Sequence, residues 1–188
     1  MIELEILVEA YDSEEVISNK LNMCKFIKST HVIDIYYYDP LRHELKPDNT
    51  QKLFSSFRLR DKDKKITLTY KDDHYQNGLW LYSDEYETSV TNLDNIKIIL
   101  KKLGQVELLT LDSYKRFYSY GDYEIAIEYV KKLGTFLEVE LKRAIDEKDV
   151  LSEKRKIQKF IDSLQLNVSA ELNAGKPELY IKKNGIRI

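Results

Sequence analysis

Thr135-Phe136-Leu137-Glu138-Val139-Glu140-Leu141 is the stretch whose alternation decides the fold. Successive side chains of an extended strand point to opposite faces, so Glu138 and Glu140 share one face while Leu137, Val139 and Leu141 share the other. The chain opens on the same device, with Glu3 and Glu5 alternating with Ile2, Leu4, Ile6 and Val8. Side by side, two such strands converge four carboxylates on a small area. Like charges at that distance repel unless a cation lies between them, and oxygen donors of this kind suit a hard divalent ion. For either strand alone the alternative is the solvated face of an ordinary sheet.

Between these two strands the alternation recurs. A strand is predicted over 31–39, with Asp34, Tyr36 and Tyr38 opposite Ile33, Ile35 and Tyr37. Arg58 and Arg60 then alternate with Phe57 and Leu59, and after a turn at 61–64 Thr67, Thr69 and Lys71 alternate with Ile66, Leu68 and Tyr70. As a hairpin, this pair puts three cations and two hydroxyls on a single face. A connection over 72–83 holds Gly78 and Trp80, the latter read as a packing residue, and leads to Glu85 and Glu87. One or two strands over 108–118 carry Lys115 and Arg116, and Glu124, Ala126 and Glu128 oppose Ile125, Ile127 and Tyr129 in the next. Helices are predicted over about 13–23 behind Asp12 and Glu15, from Thr91 or Asn92 to Leu103 before Gly104, and over 149–164. Residues 40–53 read as a polar loop, and 178–181 as a strand or short helix. About eight short strands with two or three helices describe an antiparallel α+β fold.

The 188 residues suit one domain, spanning 1–188. With 43% hydrophobic and 33% charged residues and a net charge of −2, the balance is that of a soluble globular chain, and no bulk attraction to nucleic acid follows. No apolar run approaches the roughly 20 residues of a membrane span. The single cysteine, Cys24, excludes an internal disulfide, and acids follow Met1 at once where a signal peptide would be basic and apolar, so the cytoplasm is the expected compartment. His31, His43 and His74 lack ligand spacing, and neither glycine pattern of a P-loop or a dinucleotide fold is present. Homodimer formation stays open.

The signs of the polar faces are sorted by strand, carboxylates on some and Arg or Lys on others. A closed antiparallel barrel with polar faces inward, and apolar faces outward beneath the helices, converts this sorting into a lined tunnel. Arg chelates phosphoryl oxygens in a fork and Lys meets them as a point charge. Carboxylates on the facing wall would hold a metal that neutralises the transferring phosphoryl group, so no nucleophilic side chain is required.

In order and spacing, several of these pieces together resemble the CYTH superfamily of triphosphate tunnel metalloenzymes, which includes thiamine triphosphatases, inorganic tripolyphosphatases and class IV adenylyl cyclases. They are Glu3-x-Glu5, Asp34-x-Tyr36, Phe57-Arg58-Leu59-Arg60, Leu68-Thr69-Tyr70-Lys71, Glu85-x-Glu87, Arg116, and Leu133 through Glu140. The resemblance implies an eight-stranded antiparallel tunnel with Arg58, Arg60, Lys71 and Arg116 on the triphosphate. Lys115 stands close to a further family lysine. Glu3, Glu5, Glu138 and Glu140 fall at the metal-binding acids, with Mg²⁺ or Mn²⁺ as the expected ion, and Glu128, where the family usually has Asp, is expected to ligate with them. Glu85 and Glu87 line the tunnel. The implied partner is a small-molecule triphosphate or ATP, with neither nucleic acid nor membrane. The leading activity is hydrolysis of a linear triphosphate; the alternatives are conversion of ATP to cyclic AMP and pyrophosphate, or binding without catalysis. One departure bears on activity: Leu7 stands where the family's opening motif has lysine, with Lys101, Lys182 and Lys183 as candidates to replace the cation.

Overall fold

The computed structural model describes residues 2–186. Eight strands, β1 (Ile2–Glu9), β2 (Lys25–Tyr38), β3 (Ser55–Lys62), β4 (Lys65–Gln76), β5 (Leu79–Val90), β6 (Val106–Tyr120), β7 (Tyr123–Val130) and β8 (Gly134–Leu141), close into an antiparallel barrel in the order β1-β5-β4-β3-β2-β6-β7-β8. The first and last strands are neighbours, in register from Leu4 opposite Leu141 to Glu9 opposite Phe136, so Glu5 faces Glu140 and Leu7 faces Glu138. The expected alternation carries through every wall. Arg58 lies beside Thr69, Arg60 beside Thr67, Lys71 beside Glu85, and Lys115 beside Glu128.

The apolar faces point outward and are covered by helices. α3 (Val150–Ser163) lays Val150, Ile157, Phe160 and Ile161 on Leu4, Ile6, Val8, Leu137, Val139 and Leu141. Each fully buried aliphatic side chain there contributes about 1.5–3 kcal/mol. α2 (Leu93–Lys102) seats Leu93, Ile96 and Leu100 on Ile35, Leu59 and Leu68. Asn92 caps it by accepting from the Asn95 backbone N–H at 2.8 Å.

Several boundaries differ from the sequence expectation. α1 is shorter, Glu14–Lys20, because Ser13 rather than Asp12 is its N-cap; the Asp12 carboxylate instead accepts from the Asn167 backbone N–H at 2.7 Å. β2 begins at Lys25, six residues early, through pairing with β6. Residues 72–83 are no loose connection: β4 and β5 run through them and turn at Asn77-Gly78, both at positive φ (52° and 80°), the two-residue hairpin turn that Asn-Gly favours. β6 is one strand of 15 residues. The segment at 178–181 belongs to a longer helix, α4 (Lys176–Asn184), which decides how the tunnel ends.

One end of the interior is apolar. Leu7, Tyr36, Leu109, Leu111, Val130 and Phe136 gather with Leu53 and Leu133, and Ile181 of α4 packs among them. The Leu172 backbone N–H donates to Leu7 O at 3.0 Å, fastening the approach to α4 against β1. The buried Glu178 carboxylate accepts from the backbone N–H of Leu53 at 2.9 Å and of Gly175 at 2.5 Å, tying helix and loop into the same stopper.

Candidate functional site

Beyond this stopper the barrel encloses a polar cavity of about 230 Å³. The chain's strand parity brings Glu3, Glu5, Arg58, Arg60, Lys71, Glu85, Glu87, Lys115, Glu138 and Glu140 to its walls, and α4 adds Lys176. A larger hollow of about 510 Å³ lies among His31, Tyr114, Arg116 and Tyr129 and shares Lys115 with this cavity.

On the cationic side Arg60 makes paired hydrogen bonds to Asp34, Nε to Oδ1 at 2.7 Å and Nη2 to Oδ2 at 2.8 Å. Arg58 Nε lies 3.9 Å from the same carboxylate and, although buried, has no hydrogen-bond partner. Burial opposes charge on Asp34, but Arg60 and Arg58 prevail and hold its carboxyl well below the usual range. Lys71 bridges Glu3 and Glu85, the latter at 2.9 Å. Burial opposes its charge too, yet Glu3, Glu5 and Glu85 push the ammonium above its ordinary value. Lys62, nearer the mouth, is drawn down to about 8 by burial and by Lys28, Arg60 and Lys115, so positive charge exceeds negative there.

The anionic side carries the opposite surplus. Burial and the carboxylates of Glu138 and Glu3 raise Glu5 well above its ordinary value. Glu140 is pushed up to about 7 by burial, with Glu3 and Glu138 adding to it and the Lys142 ammonium, 2.8 Å away, opposing it. Carboxylates that resist ionisation together mark a place for a further cation. Glu138 behaves differently: despite burial, Lys115 and Lys176 hold it well below its ordinary value. Lys176 Nζ lies against both Glu138 and Glu128, 2.5 Å from Glu128 Oε2, and Lys115 Nζ is 3.0 Å from that same oxygen. Glu128 therefore sits between two ammoniums rather than among the other acids. Among the described residues no three His, Cys, Asp or Glu side chains already converge as a metal-binding group. The donor set of Glu3, Glu5, Glu138 and Glu140 is nonetheless all oxygen, partly surplus in charge, and chemically suited to a hard divalent ion.

Arg116 does not join the cluster. Consecutive residues of an unbulged strand cannot both face inward, and β6 pairs with β7 without a break from Ser113 to Tyr120. Lys115 takes the interior and Arg116 the exterior, where it pairs with Glu14 of α1. The proposed replacements for the lysine absent at Leu7 lie elsewhere as well: Lys101 and Lys182 are exposed, and Lys183 donates to Leu133 O at 2.5 Å. The cation opposite Leu7 is Lys176. Its only sequence signal was Gly175-Lys176-Pro177, a helix start whose first residue can point along the incoming chain. Trp80 is buried on β5 with Nε1 donating to Ser83 Oγ at 3.2 Å, and it also lines the cavity.

A family model described as the CYTH domain matches residues 1–169. A Methanocaldococcus jannaschii protein named "Putative adenylate cyclase" is 32% identical over 172 residues, which cover 89% of this chain and 94% of that one. A Pyrococcus horikoshii OT3 protein superposes with a TM-score of 0.79 at 22% identity, covering 95% of this chain and 99% of its own. A Hippeastrum protein, named "Putative adenylyl cyclase" and described as revealing a dominant triphosphatase activity, superposes with a TM-score of 0.65 at 13% identity over 100% and 98% of the two chains. At those identities the two structures speak for the fold.

Proposed function

This chain belongs to the CYTH domain family, and on that premise we propose that it hydrolyses a linear triphosphate with the help of a divalent ion, water attacking the terminal phosphorus. The observation that carries this reading is the buried Arg58, whose Nε has no partner, set beside Arg60, Lys71 and Lys115 in a tunnel with one end stoppered. A guanidinium held in place with a free donor binds a phosphoryl oxygen with little reorganisation, and the neighbouring cations, paired with carboxylates, add positive charge around it. Glu3, Glu5, Glu138 and Glu140 would hold Mg²⁺ or Mn²⁺, which supplies charge neutralisation at the transferring phosphoryl group and a site for water. The stopper of Leu7, Phe136, Leu111 and Ile181 excludes bulk water from one end and fixes how deep a phosphate chain enters.

The second reading, an adenylyl cyclase, draws on the name of the archaeal relative and needs a place for the adenine ring. Of the three aromatic residues that line the tunnel, Trp80 is committed through Nε1 to Ser83, and the other two favour hydrolysis. Tyr36 is buried in the stopper, and the Phe117 ring at the mouth has the Lys62 ammonium 4.1 Å and the Lys28 ammonium 5.9 Å from its centre. A face held by cations favours an anionic chain over a stacked base.

Phosphorus NMR of the protein with tripolyphosphate, thiamine triphosphate and ATP in turn, each with Mg²⁺ or Mn²⁺, tests the proposal. Orthophosphate with the matching diphosphate is the expected product. Pyrophosphate and cyclic AMP from ATP alone would replace it with the cyclase, and unchanged substrate with metal-dependent line broadening would leave a binding module.

A further inference from the structure

The tunnel contains a cation that the strands do not supply. Lys176, the first residue of α4, extends inward, its side chain 12% exposed, and places Nζ against Glu138 of β8 and Glu128 of β7. Glu138 is the register partner of Leu7, so this ammonium stands across from the one inward position of β1 between Glu5 and the strand's end that carries no charge. The helix behind it is well anchored, by Ile181 in the apolar stopper and by Glu178 on the Leu53 and Gly175 backbone N–H groups. The Lys176 side chain is joined to this anchor only through its flexible stem, so it can swing while α4 stays in place.

We infer that Lys176 is an internal counter-cation, seated on Glu138 in the free protein, which a divalent ion must displace in order to load the tunnel. The inference rests on the proposed role of Glu138 as a metal ligand. Without Lys176, Glu138 and Glu128 would be two enclosed carboxylates with Lys115 as the one remaining ammonium close to Glu128 among the described residues. With Lys176 present the pair is neutralised and the barrel closes, at the expense of metal affinity. A divalent ion taking Glu138 releases the ammonium into a cavity lined by Arg58, Lys71 and Lys115, where it adds one more donor for a phosphate chain. Ion and substrate binding are thereby coupled, each favouring the arrangement the other needs.

The test is Mn²⁺ binding to the substrate-free protein, read from the electron paramagnetic resonance of free Mn²⁺. Lys176→Met, which keeps the stem and removes the charge, is expected to bind Mn²⁺ about tenfold tighter than the wild type, or about 1.4 kcal/mol; Lys176→Arg is expected to match the wild type. Glu138→Gln separates the two ideas. If it abolishes binding while Lys176→Met equals the wild type, the counter-cation is overturned and the metal site stands; if it binds as the wild type does, the metal assignment falls and this inference with it. The wild type offers a check that needs no variant: acetylation of Lys176, followed by mass spectrometry with the exposed Lys148 as reference, is expected to accelerate on adding Mn²⁺. Equal rates with and without the ion overturn the displacement.

Discussion

Arg60 grips Asp34 through two parallel hydrogen bonds of 2.7 and 2.8 Å, and in doing so leaves its neighbour Arg58 without a partner for Nε. Both oxygens of Asp34 already accept from Arg60, so one guanidinium is structural and the other is held ready for an anion. The two therefore answer differently to mutation. Arg58→Ala is expected to raise KM for the triphosphate by about 10–100-fold, the worth of one or two charge-assisted hydrogen bonds, with a smaller loss of stability than at Asp34 because its contact with that carboxylate is a long one of 3.9 Å. Asp34→Ala leaves two enclosed guanidiniums facing each other and is expected to cost about 3 kcal/mol in urea unfolding. A large stability loss in Arg58→Ala with KM unchanged would reverse these roles.

Glu138 is held in its charged form by Lys115 and Lys176, and it follows Glu140 on the inward face of β8, one inward position along from the Glu5–Glu140 pair. Glu138→Gln keeps the shape and removes the charge. The Mg²⁺ concentration giving half-maximal phosphate release is expected to rise about tenfold or more. A titration of activity against Mg²⁺ reads this directly, and an unmoved midpoint would take β8 out of the metal site.

Glu178 makes the stopper sensitive to pH. Burial pushes its carboxyl up to about 7 from an ordinary 4.5, despite the two backbone N–H groups that favour its charge. Between those values the folded protein holds a proton that the unfolded chain has released, so stability falls as pH rises from about 4.5 to 7. The full effect is about 3 kcal/mol at most. Glu178→Gln is expected to flatten the fall in Tm across pH 4.5–7 whatever it does to the absolute value; an unaltered slope in a calorimetric pH series would assign the dependence to other groups.

The barrel was legible in the sequence because each strand keeps strict alternation, and because helices α2 and α3 present plain apolar stripes to the outer wall. The order of charge around the tunnel followed from parity alone at Arg58, Arg60, Lys71, Glu138 and Glu140. Parity also separates Lys115 from Arg116, since the two are consecutive and only one can face inward. Asn77-Gly78 is a two-residue hairpin signal within the stretch that composition alone reads as a loop. Lys176 was out of reach for a different reason: a side chain that enters from a helix capping the barrel obeys no strand periodicity, and its partners, Glu128 and Glu138, are 48 and 38 residues away.

Leu7 appears from sequence as a cation lost, and in the structure as part of a stopper gained. It is 2% exposed, among Leu111, Phe136 and Ile181, and its carbonyl fastens Leu172. Lysine at this position would bring its ammonium within the same neighbourhood as Lys176 while placing its base in an apolar cluster, with one carboxylate partner already engaged. Leu7→Lys is therefore expected to lower stability by about 2–4 kcal/mol, as burying an ill-matched charge does, and to leave turnover of tripolyphosphate no higher than in the wild type. Urea unfolding and phosphate release measured on the same preparation check both halves. A rise in turnover with stability intact would mean that the tunnel still lacks the cation, and that Lys176 does not replace it.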